Sequence, residues 1–268
     1  MNKKIDKLPN GQEIVDTISR SNEHLETIGD RSAYRVHLGA LALTADKLAD
    51  SQVESNRGYE TNESRQYRLI GALPNWLRAE HNLSTRRKNM DRQEYVESMS
   101  SVIEFNHILR EIIDTETYTR MTEVTGFVSE VLLSARVSGS TIKYATQSLV
   151  SVLDGMRHEI ASESVLSDLP GVEDIRGADT IEEEMRGMDI IFTYEGTQLA
   201  LDIKSTQRAA DEANHKSRGS NYYAIWSGFT WDDFGDSLLP TKEQLIRKRP
   251  HFTNQLGRIV SRKLVFAN

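Results

Sequence analysis

Two runs of β-branched, aromatic and aliphatic residues, Asp189 to Tyr194 and Thr197 to Lys204, are separated only by Glu195-Gly196. That spacing predicts a β-hairpin closed by a two-residue turn. No other stretch restricts the fold so tightly, because a two-residue loop also fixes the register and brings Asp189 opposite Asp202. Alternation along each strand sends Ile190, Phe192, Leu199, Leu201 and Ile203 to one face, and Asp189, Ile191, Ala200, Asp202 and Lys204 to the other. The first face is core. On the second, two carboxylates meet across the ladder, an arrangement that destabilises a sheet unless a cation or proton lies between them. Lys204 follows Asp202 on that face, and two oxygen ligands beside an ammonium suit Mg²⁺ and phosphoryl chemistry. Glu is not a preferred first residue of such a turn, so a longer loop with a slipped register is one competing reading. A plain edge strand with a solvated charged face is the other.

The order Gly187-x-Asp189, hydrophobic hairpin, Asp202-x-Lys204 resembles the PD-(D/E)xK nuclease superfamily, which includes restriction endonucleases, Holliday-junction resolvases and repair nucleases. Asp202 stands where Glu is commoner, and Met188 where a Pro often precedes the first acid; both variations occur in that family. The resemblance is close over Gly187 to Lys204 and loose over the remainder of residues 118–268. It implies an α/β fold with a mixed-sheet, restriction-endonuclease-like core. It also implies a Mg²⁺-dependent DNA endonuclease of restriction type that hydrolyses phosphodiester bonds, with Mn²⁺ able to substitute. Asp189, Asp202 and the backbone carbonyl of Ile203 are the metal ligands it implies. Lys204 would orient the attacking water or stabilise the transition state.

The family also places a Glu from its first core helix over the metal, and Gly126-Phe127-Val128-Ser129-Glu130 resembles that helix. Helical spacing puts Glu130 ~60° outside the apolar stripe of Val124, Phe127, Val128, Val131 and Leu132. Glu123, on the same flank, and Glu159 are its rivals. Gln207 is similar to a Gln that some members hold near the site. Ser205, His215, Lys216 and Arg218 are further candidates for phosphate contact, with ordinary polar surface as the alternative for each. Cutting both strands together needs two sites, so a homodimer acting on DNA is expected by analogy. The rival functions are a nuclease-fold protein without catalysis that serves DNA binding or assembly, and a helical scaffold whose sheet only dimerises.

The absence of cysteine excludes disulfides, thiolate zinc sites and cysteine nucleophiles, and the seven histidines lack metal-ligand spacing. A net charge of -7 argues against a nucleic-acid partner until its distribution is considered. Residues 65–92 hold seven basic and two acidic side chains, residues 240–268 seven and one, and residues 159–184 one and nine. Basic stretches on an acidic chain are what phosphate tracking needs, though solvated helix faces read the same way. No apolar run follows the Met-Asn-Lys-Lys start, so neither a signal peptide nor a membrane span is expected, and the cytoplasm is the expected location.

Residues 1–117 read as a mainly helical region, a DNA-binding or dimerisation module, and residues 118–268 as the catalytic domain. Tyr95, Met99, Val102, Phe105, Leu109 and Ile112 stripe one helix. Breaks are expected at Pro74 and Pro250, and a loop over Asp50 to Ser64. Further helices are expected from about Thr117 and from Thr141 to Ile160. The first strand falls at Val165-Leu166 or at Val172 to Ile175, a polar segment spans Arg208 to Gly219, and another strand spans Asn221 to Trp226.

Overall fold

The computed structural model describes residues 8–21, 34–178, 187–216 and 222–266. Among them the chain is mixed α/β, with nine α-helices and one open four-stranded sheet. It forms two compact units, residues 1–151 and 152–268. The division therefore lies well beyond residue 117, within a long helix.

The first unit holds α1 (Gly11–Ser21), α2 (Tyr34–Ser55), α3 (Asn62–Arg86), α4 (Arg92–Asp114), α5 (Met121–Ser134) and the start of α6 (Gly139–Ser167). Side-chain caps set two of the starts: Ser64 N donates to Thr61 Oγ1 at 3.0 Å, and Glu94 N to Asp91 Oδ1 at 2.8 Å. The loop expected over Asp50 to Ser64 shrinks accordingly, with α2 running to Ser55 and α3 starting directly after Thr61. Pro74 does not break α3. Proline removes one helical hydrogen bond, but Leu73 and Trp76 on either side are buried, and Trp76 stacks on Phe105 of α4 at 4.4 Å between ring centroids. Packing outweighs local propensity there.

Helix α5 belongs to the first unit because α1 starts directly against it. A Cβ on Gly11 would stand 2.7 Å from Phe127 O, so only glycine allows the approach. The Gly126 of the helix motif has no such duty, since a Cβ there would meet nothing within 4 Å.

In the second unit the strands are β1 (Val172–Gly177), β2 (Ile190–Tyr194), β3 (Thr197–Lys204) and β4 (Tyr222–Trp226), in spatial order β1-β2-β3-β4. The first three are antiparallel neighbours and β4 runs parallel to β3. Ile190 pairs with Leu201 and Tyr194 with Thr197, the register a two-residue turn imposes. Glu195 (φ 48°) and Gly196 (φ 75°) both adopt the left-handed conformation of that turn. Glu195 is an unfavourable residue there, and its N–H is anchored to Gly171 O at 3.0 Å.

Ile190, Phe192, Leu199, Leu201 and Ile203 are buried in one core with Val165 and Leu166 of α6, as their alternation predicts. The parallel pairing of β4 needs a crossover, and α7 (Gln207–Lys216) supplies it where a polar segment was expected. Its signals are local: Ala209 N donates to Thr206 Oγ1, and Gln207–Asp211 and Arg208–Glu212 pair at i,i+4. Asn214 of α7 then bonds both the N–H and the C=O of Ala224, giving that residue of β4 a substitute strand partner. After α8 (Trp231–Phe234), α9 (Lys242–Phe266) runs through Pro250 without the expected break. Phe252 and Leu256, just beyond the proline, are fully buried and hold it.

Candidate active site

Strand β2 starts at Ile190, so Asp189 lies just outside the ladder and is not a strand partner of Asp202. Asp189 N donates to Leu201 O at 2.8 Å, and Asp189 Oδ2 accepts from Ile203 N at 2.5 Å. Leu201 and Ile203 direct their backbone groups toward β2, and the Asp189 carboxylate takes the place of the strand that has ended. The N–H and C=O of one strand residue point the same way, so the Ile203 carbonyl also faces the Asp189 side.

Asp202 projects from the other face of β3 and is only 3% exposed. Its Oδ2 accepts from Tyr222 Oη of β4, and its Oδ1 is ion-paired with Lys204 Nζ. Although Lys204 is in range, no donor is aligned with the buried Oδ1 for a hydrogen bond. Tyr222 had no motif to announce it; a Tyr-Tyr pair opening a strand was its only trace in the sequence. Burial and donation to Asp202 raise its hydroxyl above the ordinary phenol range, so it stays a donor at neutral pH.

The Asp189 carboxylate is closely surrounded even though part of the residue surface is open. Burial, then the charge of Glu159, then that of Asp202 push its pKa well above the usual carboxylate range; the Ile203 N–H and Lys204 oppose the rise. Glu159, on α6, is thus the helix-borne acid whose charge acts on Asp189. Glu130 is exposed in the first unit, where its Oε2 accepts from Gly11 N at 2.8 Å and satisfies a free N–H of the first turn of α1. Glu123 closes the start of α5, accepting from Thr119 N at 2.9 Å and Arg120 N at 3.0 Å. Both are committed to backbone amides.

Gly187, the first residue of the motif, has φ 73°, and a Cβ on it would lie 3.2 Å from Tyr222 Oη. Gly187→Ala is expected to cost about 1–2 kcal/mol by forcing a side chain into left-handed backbone beside that hydroxyl. Gly126→Ala is expected to leave stability equal or up to ~1 kcal/mol higher. Urea unfolding of the two variants measures the contrast.

Two acidic side chains, one carrying a buried oxygen without an aligned donor, and a carbonyl turned the same way make an all-oxygen donor set with excess negative charge. This set fits a hard cation that keeps several waters, as Mg²⁺ does. Among the described residues no three His, Asp or Glu side chains form a metal-holding group.

Of the remaining candidates, Gln207 bonds Asp211 at 2.8 Å, while Ser205 is exposed and its backbone carbonyl, not its hydroxyl, accepts from Trp226 Nε1 at 3.2 Å. His215 has a partner, and the Lys216 side chain and Arg218 lie outside the described residues. Several bases of the two positive stretches are neutralised within the chain: Arg65 by Glu111, Arg68 by Glu60, Arg247 and Lys248 by Asp233, and Arg249 by Asp168. No helix among the described residues is long and apolar enough to cross a membrane. No protein-family model, curated protein or solved structure matches the chain.

Proposed function

We propose that the protein is a Mg²⁺-dependent DNA endonuclease that hydrolyses phosphodiester bonds. The observation that carries this reading is the gathering of Asp189, Asp202 and Lys204 at one end of the β2–β3 hairpin, with Asp202 Oδ1 buried and without an aligned hydrogen-bond donor. Asp189, Asp202 and the Ile203 carbonyl would hold Mg²⁺, with Mn²⁺ as substitute. When bound, the ion would supply positive charge to the scissile phosphate.

The chain's own groups divide the remaining work. Tyr222 holds Asp202 by one oxygen and leaves the other turned to Lys204. Ile203 N–H fixes the Asp189 carboxylate. Lys204 runs from the buried acid toward solvent, with its side chain 35% exposed, so its ammonium can meet both a water and a phosphate oxygen. As a compact point charge it orients the attacking water and stabilises the charge that develops in the transition state. Glu159, acting on Asp189 from α6, strengthens the site's attraction for a cation.

Incubation of the purified chain with plasmid, linear, single-stranded and branched DNA in Mg²⁺ or Mn²⁺ is the test. Metal-dependent nicking or cleavage of at least one form is expected, and all forms remaining intact would end the enzyme reading. Glu159→Gln is expected to weaken the Mg²⁺ dependence of cleavage several-fold. Glu130→Ala should leave cleavage unchanged and cost about 1 kcal/mol of stability through the lost bond to Gly11. Titrating Mg²⁺ against rate, with urea unfolding alongside, separates the two roles. Simultaneous cleavage of both strands needs two such sites, so a homodimer belongs to this proposal, with sedimentation as its measure.

The lack of a third metal-holding side chain among the described residues favours a second reading, a nuclease-fold protein that binds DNA or serves assembly without catalysis. Retention of DNA on a gel with no cleavage in either metal would support it.

A further inference from the structure

The first unit contains a cavity of about 720 Å³ between α3 and the start of α6, floored by Leu38 of α2. Its polar wall comes from α3, where Arg78, His81, Asn82 and Arg86 recur at helical spacing on one side. No carboxylate among the described residues lines it, although the chain as a whole carries a charge of -7. Arg78 and His81 are exposed and make no side-chain hydrogen bond or ion pair with a described residue. Arg86 has only a long contact with Glu94, at 3.6 Å between exposed groups. Arg78, without an ion pair to a described residue, and Arg86, paired only at that distance, thus border a concave space that no carboxylate lines.

The same face of α3 also brings the apolar Pro74 and Leu77 into the cavity. Across from it, Val137 and the half-buried Tyr144 contribute apolar and aromatic surface, and the Tyr144 hydroxyl contacts that of Ser84 at 3.1 Å. Ser140 and Thr141 line the same cavity in the first turn of α6, at the positive end of a long helix; their hydroxyls contact Ser138 Oγ at 3.1 and 2.9 Å, and a hydroxyl so engaged keeps capacity for a further hydrogen bond. The lining thus combines cations for an anion with apolar and aromatic surface for a flat body. Asn82, with a donor and an acceptor on one amide, suits the hydrogen-bonding edge of a base.

We propose that this cavity is a nucleotide-binding site: phosphate held by Arg78, Arg86 and the Ser140-Thr141 turn, base held against Tyr144 and Leu77. The proposal does not depend on the Asp189 site. The nucleotide has two possible sources, a free mononucleotide or one unit of a single strand, and both present the same chemistry.

Isothermal titration of the full chain in EDTA, which removes any contribution of metal at Asp189, tests it. Adenosine 5′-monophosphate is expected to bind at least tenfold more tightly than either inorganic phosphate or adenosine. Arg78→Ala and Arg86→Ala should each weaken it about tenfold, the usual loss of a charge-assisted hydrogen bond. Tyr144→Leu should weaken the nucleotide and leave phosphate unchanged. A short single-stranded oligonucleotide with the same dependence on Arg78 but higher affinity identifies a strand as the source; a mononucleotide that binds more tightly identifies the free ligand. No binding at millimolar nucleotide, equal binding of phosphate or adenosine, or indifference to both arginine variants in a chain whose circular dichroism is unchanged would overturn the proposal.

Discussion

Lys204→Ala and Asp202→Asn are each expected to lower Mg²⁺-dependent DNA cleavage by a hundredfold to a thousandfold, the loss seen when one preorganised charge is removed from a transition state. Asp202→Asn keeps the shape of the side chain and an oxygen for the Tyr222 hydroxyl, so the sheet should persist while the anionic oxygen facing Lys204 disappears. Lys204→Ala acts from the other side. It removes the cation beside a buried carboxylate, and leaving such an acid uncompensated costs stability as well as rate. The two variants should therefore part in thermal unfolding, with Lys204→Ala less stable than wild type and partly rescued by Mg²⁺. Cleavage rates within threefold of wild type for either variant would show that these groups do not perform the reaction.

Asp189→Asn is expected to abolish cleavage and yet raise the melting temperature. The pKa of Asp189 is raised in the folded protein, so the stability this group contributes is fully present below the unfolded carboxylate pKa. That contribution is lost as pH rises through the folded value. At neutral pH its charge opposes folding, because it is desolvated and sits near Glu159 and Asp202. A neutral amide of the same shape still accepts the Ile203 N–H and relieves that cost. That relief should appear as a higher melting temperature than wild type. Mg²⁺ should stabilise the wild type, since a ligand that binds only the folded state raises its stability. It should not stabilise Asp189→Asn. The wild-type affinity for Mg²⁺ should increase with pH through the raised pKa of Asp189, because protons and metal compete for one carboxylate. A variant that melts below wild type, or responds to Mg²⁺ as wild type does, would contradict this account of the site.

The hairpin was legible because its rules are local. A two-residue gap fixes the pairing, and a side-chain period of two assigns every residue from Ile190 to Lys204 to a face. The pairing stops one residue short of Asp189, and nothing in the sequence marks that point. The strand β1 was readable only as one of two short apolar stretches, since six residues carry little periodicity. The helix α7 was hidden by its polarity, although its cap at Thr206 and its i,i+4 pairs were in plain sequence.

The helix-borne acid was not decidable from position on a helical wheel. Glu123, Glu130 and Glu159 all lie on helices, and their different fates rest on which backbone amide or buried carboxylate the fold brings near. The same holds for both prolines, since a break is the rule for an isolated helix and Trp76 or Phe252 overrides it through contacts with distant residues.

Sequence alone determined the hairpin, its register, its buried face, and the placing of Asp189, Asp202 and Lys204 at one end, because turn geometry and strand alternation act over a few residues. Only the tertiary structure decided that Tyr222 grips Asp202, that Glu159 rather than Glu130 acts on Asp189, and that Arg78 shares a cavity with Tyr144. Those meetings join residues far apart along the chain, and packing between elements, which no local pattern encodes, brings them together.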